Sequence, residues 1–546
     1  MITNGKESQG SRRQARLREE GMRDERKARS HPVTRPGQDL DVLGICYVLI
    51  IVMKVQQSEQ GRSLDRRVVS IGELSRSHRI GILLICCMSL LIVGLDVTIV
   101  NVALPSIGRD LHASVSGLQW TVDAYTLVLA SFLMLSGSTA DRLGRKRTFV
   151  VGLILFSAGS LLCSLAPALG LLVVFRMVQA VGGSMLNPVA MSIITNTFTD
   201  PRERAQAVGV WGGVVGISMA LGPVLGGLLV SSAGWRSVFW INIPVGLVAI
   251  VLALRYVPES RAPRARRFDP VGQVLWIVLL ATLTYGIIEA PGRGWTSPAI
   301  LAAFLTSAVT LLAFLIYEPR RKDPLIDLRF FRSIPFASAT VTAVAAFATL
   351  GGFLFLNTLY LQEVRGLSPF QAGLSTLPMA VLTMAASPVS GRIVGRRGPR
   401  LPLVVSGLSL ATACAMLTRI DPVTPFTWLF AAYVIFGLGF GLVNAPITNA
   451  AVSGMPRAQA GVAAAVASTS RQVGSVLGVA VAGAIVASSA GASAHADLSW
   501  ASRPAWWTLA ACGGAVLLLG LMATTNWAKE SARRTAAELN PEALVE

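Results

Sequence analysis

Apolar residues come in long runs along this chain, separated by short polar interruptions. From Ile80 onward, apolar windows fall at roughly 80–102, 117–138, 148–167, 169–195, 205–230, 238–256, 271–290, 298–317, 336–360, 371–394, 401–418, 426–450, 461–488 and 505–526. Each is long enough to cross the hydrocarbon core of a bilayer, roughly 30 Å, as an α-helix. The pattern predicts an all-α, polytopic membrane protein with fourteen transmembrane helices.

The polar interruptions alternate in charge, and the alternation orients the helices. With the N-terminus in the cytoplasm, twenty-five Lys and Arg residues fall in the cytoplasmic loops and tail that follow the first span. The outer loops hold six between them: Arg109, Arg236, Arg293, Arg365, Arg419 and Arg503. Basic residues favour the cytoplasmic side, so both termini are expected there and the chain in the cell (plasma) membrane. Arg471 is counted with the loop residues. Arg176 is then the one basic side chain well inside a helix.

Composition agrees. Of 546 residues, 53% are hydrophobic and 14% charged, against about 25% charged in soluble domains, and the mean hydropathy is +0.59. The formal charge of +19 raises the question of nucleic acid. Its spread over alternate loops, with no basic patch interleaved with aromatics, argues against that partner. Cys86, Cys87, Cys163, Cys414 and Cys512 lie in apolar spans and Cys46 in the N-terminal region, without disulfide or zinc spacing. The four histidines, His31, His78, His112 and His495, are scattered outside the spans, so no metal site is expected. The sequence has no phosphate-binding Gly-x-x-x-x-Gly-Lys-Ser/Thr loop and no nucleophile constellation. That leaves neither an ATP-driven pump nor an enzyme, and no cofactor.

Residues 1–78 differ from the rest. Residues 1–40 are rich in Arg, Glu, Ser and Gln and read as disordered. Val42–Met53 is too short to span and reads as an interfacial helix or a signal-like segment without a cleavage site. Alternatively Met53 is the start and the extension is dispensable.

The polar interruption with the most information is Gly137-Ser-Thr-Ala-Asp-Arg-Leu-Gly-Arg-Lys-Arg147, with five charges between Asp141 and Arg147. Gly137 and Gly144 frame its turn, Arg145, Lys146 and Arg147 hold it on the cytoplasmic side, and Asp141 and Arg142 complete its charges. A related pattern returns at Gly391-Arg-Ile-Val-Gly-Arg-Arg-Gly-Pro-Arg400, with Gly395 in place of Asp141. Two copies imply two homologous halves. The expected division is a basic extension at 1–78, a six-helix bundle at 79–258, two extra helices at 259–333, a second six-helix bundle at 334–527 and a tail at 528–546.

A few polar side chains interrupt the spans. Asp96 and Asn101 lie in Leu95-Asp-Val-Thr-Ile-Val-Asn-Val-Ala-Leu-Pro105. An acid there is costly and faces a cavity or a partner, or else only satisfies neighbouring helices. Gln119-Trp-Thr-Val-Asp-Ala-Tyr125 opens the second span with Asp123, Trp120 and Tyr125; a water-accessible interfacial acid is the simpler alternative for Asp123. Arg176 needs a carboxylate or carbonyl partner, whether for coupling or as a structural ion pair. The fifth span carries Trp211, Gly212, Gly216, Gly222, Pro223, Gly226 and Gly227; its glycines let helices approach closely. Glu289 is expected to meet water at the outer end of the seventh span. Trp295, Trp506 and Trp507 suit an interfacial belt.

These strings resemble a known family. The Gly137–Arg147 loop looks like the signature loop between the second and third spans of major facilitator transporters. Leu95–Pro105 closely resembles the first-span motif of fourteen-span drug:proton antiporters of the EmrB/QacA type. Gly222-Pro-x-x-Gly-Gly227 resembles the fifth-span antiporter motif, and Arg176–Gly183 resembles the fourth-span motif of proton-coupled members, with Ala180 where glycine is commoner. The resemblance implies two six-helix bundles plus two inserted helices, alternating access, and export of cationic or amphiphilic drugs driven by protons. It assigns proton coupling to Asp96 and Arg176. Cation and substrate contact would fall to Asp123, Asn101, Trp120, Tyr125 and Trp211, with the signature loop as a gate. The partners implied are protons, a small-molecule substrate and the lipid bilayer, with the chain acting as a monomer. An exporter dedicated to one endogenous metabolite or antibiotic is the alternative.

Overall fold

The computed structural model describes residues 75–539 apart from 263–267, 322, 454, 456–458 and 492–497. The readings of the N-terminal extension lie outside the described residues. Among the described residues, fourteen helices are long and apolar enough to cross a membrane. They are α1 Arg76–Asp110, α2 Val115–Leu143, α3 Arg145–Ser164, α4 Leu169–Thr197, α5 Arg202–Ala233, α6 Ser237–Tyr256 and α7 Pro270–Arg293. The second set is α8 Pro298–Arg320, α9 Ile334–Val364, α10 Pro369–Arg397, α11 Arg400–Leu417, α12 Phe426–Val452, α13 Gly461–Ser489 and α14 Leu498–Ala523.

Local chemistry sets many of the ends. Ser114, Asp200 and Asp269 cap α2, α5 and α7 by accepting from first-turn amides, which satisfies donors the helix itself cannot. Ser368 and Gln371 close a capping box at the start of α10. Proline at the first turn of α7, α8, α9 and α10 costs no hydrogen bond there.

The first and last six spans pack by one plan. α1 lies against α4, α5 and α6, α2 against α4, and α3 against α4 and α6. Eight spans later the plan repeats: α9 lies against α12, α13 and α14, α10 against α12, and α11 against α12 and α14. The halves meet along two equivalent seams, α2 on α13 and α5 on α10. The inserted helices break this symmetry, because α7 lies along both α2 and α13 and so covers one seam only.

The seams hold at the end of the molecule away from the signature loop. There Gln119 Nε2 donates to the carbonyls of Val479 (3.2 Å) and Ala480 (2.8 Å). Gln362 Nε2 donates to Val102 O at 2.8 Å, and Arg109 pairs with Glu363 at 3.1 Å. Toward the signature-loop end α5 and α10 separate. A Cβ on Gly216 would lie 3.4 Å from Met384 Cγ, but on Gly212, Gly391 or Gly395 it would meet nothing within 4 Å.

Expectations for two residues, Trp506 and Arg471, change on folding. Trp506 is fully buried in the second half, edge-on to Phe353 at 6.0 Å, instead of standing in an interfacial belt. Arg471 lies inside α13, donating to Thr448 Oγ1 (2.6 Å) and Ser468 Oγ (3.2 Å), so Arg176 is not the only basic residue within a span. The C-terminal segment forms α15, Asn526–Leu539, which buries Ala528, Ala532 and Thr535 at helical spacing. Arg332 ties it to the start of the second half through Glu538 at 2.7 Å.

Candidate functional site

Five of the six helices of the first half converge on one buried cluster. Asp96 of α1 and Arg176 of α4 pair at 2.5 Å, their side chains 0% and 1% exposed. Asp96 Oδ1 also accepts from Gln179 Nε2 (2.8 Å) and Asn242 Nδ2 (3.1 Å). Arg176 donates further to Gln179 Oε1 (2.8 Å) and to the Thr121 carbonyl (3.3 Å). Its guanidinium stacks 4.1 Å from the centroid of the Tyr125 ring. Ser160 of α3 accepts from Gln179 and Asn242 and donates to Phe239 O. Nearly every polar valence is matched, as a charge pair away from water requires.

Helix geometry explains the grouping. Gln179 stands three residues after Arg176, one turn along the same face of α4. Asn242 sits just beyond the turn Ser237–Trp240 that opens α6. Gly182 and Gly159 leave no space for a Cβ between α3 and α4: one on Gly159 would lie 2.5 Å from Gln179 Cα. This close approach brings Ser160 to Gln179.

Asp123 has the opposite surroundings. It is fully buried, and neither carboxylate oxygen has a hydrogen-bond partner. Four residues before it, Gln119 bonds to α13; four and seven after it, Leu127 and Ala130 pack with Leu280 of α7 and Val476 of α13. Helical spacing therefore puts Asp123 on the face of α2 turned to the covered seam.

The remaining candidates are dispersed. Tyr125 belongs to the Arg176 cluster. Trp120 instead donates to Glu289 of α7 at 2.9 Å and stacks obliquely on Tyr285 at 6.4 Å. Glu289, expected in water, thus has a partner on α2 and a second in Arg293 at 3.2 Å. Asn101 donates to Val97 O of its own helix (2.7 Å), and its side-chain oxygen is unpaired. Trp211 packs at the edge of the first half's core with a buried, unpartnered indole N–H.

The glycines of α5 serve two contacts. A Cβ on Gly222 would collide with Thr98 Oγ1, and one on Gly226 would lie 3.2 Å from Ile99 Cα, so both hold α5 on α1. Gly227 faces the other half, where a Cβ would lie 2.5 Å from Pro369 O. The carbonyl of Pro223 abuts Gly373 of α10 in the same region.

The signature loop docks on the end of α6. Asp141 Oδ1 accepts from Arg145 Nη2 at 3.0 Å, and its carbonyl from Ala262 N at 3.1 Å. Gly144 turns at φ +119°, where only glycine is unstrained. No side chain of the loop caps α3; Glu259 does so from outside by accepting from Lys146 N at 3.1 Å. Lys146 Nζ reaches Leu254 O at 2.7 Å, and Arg147 lies 3.6 Å from Glu259.

The family model "Major Facilitator Superfamily" fits residues 86–479. The chain belongs to this superfamily. Its fold is that of the D-xylose-proton symporter (TM-score 0.59, 15% identity, covering 82% of this chain and 97% of that one). It is also that of a bacterial homologue of the human lysosomal transporter Spinster (TM-score 0.59, 19% identity, 85% and 98%). Among curated relatives, the multidrug resistance protein Stp of Mycobacterium tuberculosis is 37% identical over 400 residues, 73% of this chain and 74% of that one. The tetracenomycin C resistance and export protein of Streptomyces glaucescens is 38% identical over 411 residues, 75% and 76%. The puromycin resistance protein pur8 of Streptomyces alboniger is 37% identical over 407 residues, 73% and 80%. A major facilitator chain with fourteen spanning helices is a multi-pass membrane transporter.

Four polar residues of the cluster, Gln179, Asn242, Ser160 and Thr121, were not picked out from the sequence. The signal for the first two was present: each is an amide inside an apolar run, next to a motif.

Proposed function

We propose that the protein exports cationic or amphiphilic drugs across the cell membrane in exchange for protons. It would work as a monomer with both termini in the cytoplasm. The observation that supports this best is the contrast between two buried acids of the first half. Asp96 has three donors, while Asp123, at the seam between halves, has none. Paired acids in opposed environments are how proteins divide charge-handling roles.

An ionised Asp123 without donors is expensive to bury. It is stable with a proton on it or with a cation beside it, which makes proton and cationic substrate alternative occupants. Asp96 is paired with Arg176, and any change in one neighbour bears on helices α1, α2, α3, α4 and α6 together. Proton arrival from outside displaces the drug, and rocking of the halves about the seams carries each occupant across. Each proton moving inward contributes about 2.3 kcal/mol per 100 mV. In this scheme the signature loop, docked on the end of α6, engages the second half when that end closes.

The test is uptake of a cationic dye by inverted vesicles energised by a proton gradient. Uptake should collapse with a protonophore and in Asp96→Asn and Asp123→Asn. A well-expressed protein that moves no dye would overturn the cationic-drug reading. The relatives named for single compounds, tetracenomycin C and puromycin, favour a second reading: export of one metabolite. Protection of cells from a single compound, with no broad profile, would select it.

A further inference from the structure

The base of the inserted helical pair holds two acids that the transport scheme does not use. Asp269 caps the start of α7, and Glu318 lies at the end of α8; they are 4% and 0% exposed. Asp269 Oδ1 accepts from Gly272 N and Tyr317 OH, both at 3.0 Å. Glu318 Oε2 accepts from Ile326 N at 3.4 Å. The other oxygen of each acid, Asp269 Oδ2 and Glu318 Oε1, is buried without a hydrogen-bond partner. Both converge on one spot: a Cβ built on Gly272 would collide with Glu318 Oε1 and lie 2.9 Å from Asp269 Oδ2.

Among the described residues, few charges can relieve this pair. Arg321 Nε is 4.0 Å from Asp269 Oδ2, outside hydrogen-bond reach, and its side chain is 46% exposed. Asp327, on the segment that packs over Glu318, is turned away to Arg329 at 2.8 Å. Tyr317 already spends its proton on Asp269 Oδ1. From α2 the nearby contact is a carbonyl, Ser131 O, taken by Gln273 of α7 at 2.7 Å. Two adjacent buried carboxylates whose facing oxygens lack donors cannot both be ionised at low cost, and sharing one proton resolves the conflict.

We propose that Asp269 and Glu318 form a proton-binding site, a carboxyl–carboxylate pair that holds one proton between Glu318 Oε1 and Asp269 Oδ2. The proton ties the start of α7 to the end of α8. Because Gln273 and Trp276 of α7 bond to the carbonyls of Ser131 and Ala130, it also sets how firmly α7 lies over the α2–α13 seam. Loss of the proton leaves two facing anions and loosens that base. The site responds to pH on the side of the membrane that bears the signature loop, whatever the transported compound.

The experiment is thermal unfolding of the purified full-length protein from mildly acidic to alkaline pH. Wild type is compared with Glu318→Gln, whose amide can donate to Asp269 as the protonated acid would, and with Gly272→Ala, which wedges the pair apart. The midpoint of wild type should fall as pH rises, because the folded state holds a proton that the unfolded chain releases. Glu318→Gln should flatten that part of the profile and keep the acid-side midpoint, and Gly272→Ala should lower the midpoint throughout. Difference infrared spectra should contain a protonated-carboxyl band that is lost in Glu318→Gln and kept in Asp123→Asn. Parallel pH profiles for wild type and Glu318→Gln, or an unchanged carboxyl band, would overturn the proposal. A saturable rise of the alkaline midpoint on adding sodium, magnesium or calcium ions, absent in Glu318→Gln, would overturn it in favour of a metal cation.

Discussion

Replacing Asp96 by Asn keeps the shape of the side chain and removes its charge, so it isolates the role of the Asp96–Arg176 pair. The carboxylate accepts from Arg176 at 2.5 Å, Gln179 at 2.8 Å and Asn242 at 3.1 Å. Asparagine offers one oxygen and one donor, so at least one of these donors faces another N–H. Breaking a buried pair by removing one partner costs about 3–5 kcal/mol, because the remaining charge is left unpaired. Arg176 retains the Thr121 carbonyl, Gln179 Oε1 and the Tyr125 ring, which points to the low end, about 3 kcal/mol. The assay is thermal unfolding of the purified protein for wild type, Asp96→Asn, Arg176→Gln and the double variant. The double variant should recover stability relative to the sum of the singles, since neither charge is then orphaned. All three should lose proton-driven transport. Asp96→Asn within about 0.5 kcal/mol of wild type, the range of an ordinary surface change, would refute the reasoning.

Other outcomes follow from the same contacts. Gly227→Val should block closure of α5 on Pro369 of α10, abolishing transport while insertion into the membrane persists; a thiol introduced at Ser368 should then become more reactive to an impermeant reagent applied from that side. Trp120→Phe removes the hydrogen bond to half-buried Glu289 and should cost about 1.5 kcal/mol, read as earlier thermal unfolding and faster amide exchange in α7. Glu259→Gln weakens the cap on α3 and should cost about 1 kcal/mol. Asp141→Asn should cripple transport with normal membrane insertion, and full activity would count against a gating role for the loop. In the exposed turn between α11 and α12, the Thr424 hydroxyl, with help from the Val423 amide, holds Asp421 below its usual carboxylate range. That turn should stay ordered through neutral and mildly acidic pH and loosen only as pH falls through the lowered value, seen as faster exchange at Val423 and Thr424.

The spans were legible because bilayer thickness fixes their length. The two-half plan was legible in Gly137–Arg147 and its copy at Gly391–Arg400. Asp96 and Arg176 each stood out as a charge in an apolar run. Their pairing did not, since 80 residues separate them and pairing depends on how α1 meets α4. Gln179 and Asn242 were hidden because one amide hardly lowers the hydropathy of a span. Trp506 shows the limit of composition: a tryptophan near a span's end suits an interface or a core, and only packing against Phe353 decides. The amphipathic period of α15 is short and polar enough to pass for a solvated tail. Glu289 and Trp120 find each other only because α7 lies along α2, a contact that no motif announces.

The central claim is that inward proton movement and outward drug movement are one cycle with Asp123 as the shared site. The direct measurement is proton flux in liposomes containing the purified protein and an internal pH dye, with no imposed gradient, on adding a cationic drug to one side. The account predicts proton movement opposite to the drug, saturating with drug concentration and absent in Asp123→Asn and Asp96→Asn. Drug movement without proton movement, or proton counterflow undiminished in Asp123→Asn, would contradict it.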